Sequence, residues 1–134
     1  MESTTGRKTK AAPKLKDYVE WFEIPALNFE KAAAFYDHIY NIKMERVIGA
    51  THSMAIFPAH GGVGGAIVHG PGSLPGQSGP LVYLNAGKDL EAILSRVTEA
   101  GGRIIMTKTF INEESGYFAI FIDTEGNKLA LHSK

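Results

Sequence analysis

One unit of sequence occurs twice along this chain, and that repetition constrains the fold more than any other feature. In the first copy Trp21 stands seven residues before Asn28, a residue suited to capping a helix, and in the second Val82 stands seven before Asp89. The stretch GGAIVHG, residues 64–70, aligns without gaps to NKLALHS, residues 127–133. Both halves read strand, helix, strand, strand, strand. The chain is therefore expected to be α+β, a βαβββ module used twice, about 17–70 and 80–134, within one domain spanning 17–134. Gly70–Pro80, rich in Gly and Pro, reads as an irregular loop between the halves.

Local chemistry supports each element. Val19–Ile24 alternates as a strand, with Trp21 and Glu23 on one face and Phe22 and Ile24 on the other. Pro25 has no N–H to give a sheet ladder, so the strand should stop about there. Asn28 offers a side-chain oxygen to the helix start, and Ala32, Phe35, Tyr36, Ile39 and Tyr40 form an apolar stripe at helical spacing. Asn41 suits a left-handed stop. Lys43–Ile48, Ser53–Pro58 and Ala66–His69 read as the remaining strands of the first module.

In the second module Leu81–Ala86 is a strand. Asp89 caps a helix whose face carries Leu90, Ile93, Leu94, Val97 and Ala100, and Gly101-Gly102 ends it. Arg103–Thr107, Tyr117–Asp123 and Lys128–His132 read as strands. Asp123-Thr124-Glu125-Gly126-Asn127 has hairpin-turn chemistry, and Asn112–Gly116 is a polar loop.

Composition excludes several classes of function. The chain has no Cys, which rules out disulfides, thiolate nucleophiles and Cys-based metal sites, and fits a reducing cytoplasm. Net charge is zero, yet residues 1–16 carry Arg7, Lys8, Lys10, Lys14 and Lys16 against Glu2 alone. That leaves nine basic and thirteen acidic residues in the rest. Residues 1–16 therefore read as a disordered basic tail, and the acidic body argues against a nucleic-acid groove. No apolar run approaches the roughly 18–20 residues of a membrane span. HGGVGG lacks dinucleotide-fingerprint spacing, and no Walker Lys, H-E-x-x-H pair or EF-hand loop occurs.

The duplicated βαβββ order, with FEIPALNFEKAAAFY, EAGGRI and IDTEGNKLAL, resembles the vicinal-oxygen-chelate superfamily of glyoxalase I, extradiol dioxygenases and bleomycin-resistance proteins. The resemblance covers Asp17 to His132 and implies a curved mixed sheet around a cup that binds ligands. Metal-dependent members place His, Gln or Glu ligands on the first and last strand of each half. The matching positions here are Trp21, Ile67, Val82 and Ala130, none of which can bind a divalent cation. The resemblance also implies homodimers.

Three other side chains carry chemistry. His69 and His132 each stand two residues beyond a family ligand position, and Glu23 stands two beyond Trp21. Period-2 alternation puts each on the face of its neighbour, hence near the cup. Glu23, His69 and His132 are thus candidates for a displaced metal site or for acid–base work, with Glu23 the candidate base. Buried among Trp21, Phe22 and Ile24, the Glu23 carboxylate would need a partner. Trp21 offers a flat wall to a planar ligand.

The leading expectation is a small-molecule-binding protein contacting ligand through Trp21, Glu23, Ile67, His69, Val82, Ala130 and His132, with no cofactor. The alternative is a lyase or isomerase using Glu23 with His69 or His132, metal being optional. Partners are a small molecule and a second copy, with no nucleic acid or membrane.

Overall fold

Eight strands form two four-stranded mixed sheets in the computed structural model, which describes residues 11–134. The basic tail expected over 1–16 falls largely outside the described residues.

The first module runs β1 (Trp21–Pro25), α1 (Phe29–Tyr40), β2 (Glu45–Ile48), β3 (Ser53–Ile56) and β4 (Gly64–His69). The second runs β5 (Tyr83–Asn85), α2 (Glu91–Leu94), β6 (Arg103–Asn112), β7 (Gly116–Ile122) and β8 (Lys128–Ser133). Strand order is β1-β4-β3-β2 in one sheet and β5-β8-β7-β6 in the other, so the modules share one topology. In each, the first strand pairs in parallel with the last, which requires a crossover through the helix.

The first helix forms as its sequence dictates. Asn28 Oδ1 accepts from Lys31 N–H at 3.2 Å, and Asn41 closes the helix at φ 54°. Ala32, Phe35, Tyr36 and Ile39 are buried on the predicted stripe. In α2 only four residues bond as an α-helix, and the chain then turns through i→i−3 bonds from Arg96, Val97 and Gly101. Its apolar face is nonetheless as expected, with Leu90, Ile93, Leu94 and Val97 buried. The N-cap of α2 is Leu90, not Asp89 as expected, and Asp89 instead accepts locally, its Oδ1 from Glu91 N–H at 3.1 Å. That bond, and then Lys108, hold its carboxyl below the usual range.

One continuous core joins the modules, drawing Ile24, Ile67 and Ala55 from the first sheet and Leu84, Phe121, Leu129 and Leu131 from the second. The turn Asp123–Asn127 fastens them together. Glu125 Oε1 accepts from the free N–H groups of Leu27 and Asn28, both at 2.7 Å, so the second module supplies an anion at the start of the first module's helix. Asn127 Nδ2 donates to Pro25 O at 2.8 Å, and buried Asp123 accepts from Tyr36 Oη at 2.8 Å.

Tyr36 is fully buried, and its pKa is raised well above the ordinary 10.0, by desolvation first and then by the Asp123 carboxylate. The folded state therefore holds this proton more tightly than the unfolded chain. Its contribution is complete below pH 10 and is lost as pH rises above that value. Tyr36→Phe should cost about 1–3 kcal/mol near neutral pH and make stability fall less steeply above pH ~10. Urea melts across pH 7–11 measure both, and an unchanged alkaline slope would show that Tyr36 is not the titrating group.

Candidate functional site

Ladder register decides which side chains face the helices and which do not. Glu23 is paired with Ala66 and Trp21 with Gly64, and this face of the first sheet carries no helix. Across the sheet the same face continues through Ile56 and Met54 to Val47. In the second sheet the corresponding face holds Tyr83, Ala130 and Ile120, then Asn85, His132 and Phe118. Arg46, on the opposite face, bonds Asp37 of α1 at 2.9 Å, which fixes that face as the helix side.

Trp21 and Glu23 share the uncovered face, as alternation predicts. Trp21 is 43% exposed, and its Nε1–H donates to Glu23 Oε2 at 3.3 Å. Glu23 itself is exposed rather than buried, so the carboxylate meets water as well as the indole. Ala130 and His132 lie on the matching face of the second sheet, where His132 Nε2 bonds the Ser115 carbonyl.

Ile67 and Val82 do not face this surface. Ile67 is fully buried in the core, whereas Val82 is partly buried, packing against the core on the side of Leu84 and also lining a cleft that it shares with Glu23. His69 shares the face of Ile67, as alternation requires, but that is the helix side, where its Nδ1 meets Ala26 O at 2.9 Å. The cause is a one-residue slip between the halves. Ala26 N–H donates to Val68 O in the first module and Ala86 N–H to His132 O in the second. Val68 and His132 are thus the equivalent pair, whereas the gapless alignment equates His69 with His132. A slip of one residue exchanges the faces.

The positions expected from the resemblance to hold metal ligands do not fit a metal. Trp21, Ile67, Val82 and Ala130 offer no donor side chain, and the displaced candidates Glu23, His69 and His132 do not converge, since His69 lies across the sheet. Among the described residues no group of three or more His, Cys, Asp or Glu comes together.

Clefts open between the described residues at two places relevant to these side chains. One, of about 450 Å³, is lined by Tyr83, Asn85, Gly87, His132, Ser133 and Lys134. The other, of about 200 Å³, lies at the seam of the two sheets, between Glu23 and Pro25 of β1, the loop around Leu74–Pro80, and Asn127–Leu129. Sequence reasoning missed Tyr83, Asn85 and Lys128. Setting Val82 on the cup face turns Tyr83 away from it by alternation, and the slip brings Tyr83 onto the uncovered face instead.

Residues 18–131 match the family model of the glyoxalase/bleomycin resistance protein/dioxygenase superfamily. The chain belongs to this superfamily. A glyoxylase-like domain-containing protein of Didymella fabae is 30% identical over 122 residues, covering 87% of this chain and 94% of that protein. Among solved structures, a glyoxalase/bleomycin resistance protein from Albidiferax ferrireducens superposes with a TM-score of 0.64 at 17% identity, covering 88% of this chain and all of that one. A glyoxalase I mutant from Zea mays gives 0.62 at 15% identity, and the match covers 85% of this chain but 46% of that protein. These structural matches establish the fold expected from the superfamily's repeated module. Among the described residues no helix is long and apolar enough to cross a membrane.

Proposed function

We propose that this superfamily member binds a small organic molecule on the uncovered sheet face, with Trp21 and Glu23 as its main contacts and without the metal used by metal-dependent relatives. The observation that carries this reading is the Trp21–Glu23 pair, an exposed indole bonded to an exposed carboxylate on β1. An aromatic wall beside a fixed charge suits a flat or cationic ligand. Ala130 and His132 extend the same surface and Val82 lines the cleft beside Glu23, whereas Ile67 and His69 lie on the helix side. The lyase or isomerase alternative requires Glu23 with His69 or His132. In this arrangement the two imidazoles bond backbone carbonyls, and Glu23 bonds Trp21.

The protein is further proposed to be a cytoplasmic homodimer. β6 is a free sheet edge with Ile105, Met106, Phe110 and Ile111 exposed, an arrangement that invites pairing with a second copy.

Trp21 is the sole tryptophan, so its emission reports on this surface directly. Titration with a library of planar and cationic compounds should give a saturable change in emission with the compound recovered unaltered. Glu23→Ala should weaken that binding about tenfold. Turnover of a bound compound that is lost in Glu23→Gln with affinity retained would instead establish the enzyme reading.

A further inference from the structure

The seam cleft joins the two sheets at a point where their charges are opposite. On the uncovered face of the first sheet stand Glu23 and Glu45, and on that of the second stand Arg103 and Lys128. Glu23 and Lys128 line the same cleft from its two sides. They do not pair with each other, and among the described residues neither forms an ion pair with any other group. Two unlike charges held apart across a cleft present a cation site and an anion site to one ligand.

The cleft walls are fixed by Asn127. Its Nδ2 donates to Pro25 O on β1 at 2.8 Å, and its Oδ1 accepts from Gly76 N–H on the loop at 3.0 Å. Asn127 therefore ties β1, the loop and the start of β8 together, and it is itself buried. A preorganised cleft loses less binding energy to ordering than a mobile one. At about 200 Å³ it is smaller than the ~300–1,000 Å³ that accommodates drug-sized ligands, so its occupant is small.

We infer that the cleft takes a small zwitterion, an ammonium or quaternary amine at Glu23 joined by a short chain to a carboxylate at Lys128. This inference rests on the binding role proposed for Glu23 and names the ligand class. Trp21, bonded to Glu23, holds that carboxylate in place and sets an aromatic ring beside the cationic end.

The test uses ¹⁵N-labelled full-length protein titrated with β-alanine, γ-aminobutyrate and ε-aminocaproate, which scan the charge separation. n-Butylamine and butyrate serve as single-charge controls. At least one amino acid should bind about tenfold more tightly than either control, with amide shifts at Glu23, Gly76 and Lys128. Glu23→Gln should reduce its affinity to that of butyrate, and Lys128→Met to that of butylamine, each about tenfold. Both residues are at the surface of the cleft, and unchanged spectra elsewhere confirm folding. Equal binding of amino acids and controls, or shifts away from the cleft, overturns the inference. If none of the three binds while library compounds still alter Trp21 emission, the zwitterion is wrong and the binding role stands. If no compound alters that emission either, both fail.

Discussion

Asp123→Ala should lower the stability of this protein by about 3–5 kcal/mol, because removing one partner from a buried hydrogen-bonded network orphans the others. Asp123 is 5% exposed and accepts from Tyr36 Oη, from the backbone N–H groups of Glu125 and Asn127, and from Asn127 Nδ2. Without the carboxylate, the fully buried Tyr36 hydroxyl has no acceptor and the Asp123–Asn127 turn loses its anchor. That turn delivers Glu125 to the α1 N-terminus and Asn127 to Pro25, so the damage reaches the junction between modules. Urea unfolding should show a lowered midpoint with an unchanged slope. A loss below about 1 kcal/mol would mean that water replaces the carboxylate and that the network is less buried than described. In a double-mutant cycle with Tyr36→Phe the two losses should be strongly non-additive, since the hydroxyl and carboxylate share one bond.

Phe35→Ala should cost a similar ~3–5 kcal/mol by leaving a cavity at the middle of the shared core. Phe35 is 2% exposed and meets Tyr36 edge-on at 4.9 Å between ring centroids and Phe121 at 5.9 Å. With Tyr36 it thus joins the first module's helix to the second module's sheet. The fit is close on the far side as well. A Cβ added at Gly102 would stand 2.7 Å from the Phe35 ring and 2.8 Å from the Ile122 carbonyl, so neither neighbour leaves room. Phe35→Leu should recover most of the loss because it retains much of the volume. Near-equal stability of the Ala variant would show that the core collapses around the gap.

Much of this architecture is legible in the chain. Asn28, Asn41 and the stripe from Ala32 to Tyr40 act locally, and local caps and periodicity read directly from sequence. The faces of β1 were also readable, because Trp21–Ile24 alternates cleanly. The faces of β4 and β5 were not. The similarity of AIVH to LALH favours a gapless match, yet the ladders pair Val68 with His132 as equivalents. Runs buried on both sides show no alternation that would reveal such a slip. The fastening of the modules through Glu125 and Asn127 was equally hidden, since those contacts span about a hundred residues of chain. β6 runs to Asn112 instead of Thr107, because bulges at Met106–Thr109 let polar Thr107 and Lys108 stay within the strand.

The clearest test of the binding role is a map of where ligands act. Compounds that alter Trp21 emission should be titrated into ¹⁵N-labelled protein and their amide shifts placed on the fold. The proposed binding role predicts saturable shifts centred on Trp21, Glu23, Ala130 and His132, on the face that carries no helix. Shifts confined to α1, the helix side of the sheets or the β6 edge would contradict it, and so would shifts that persist undiminished in Glu23→Ala.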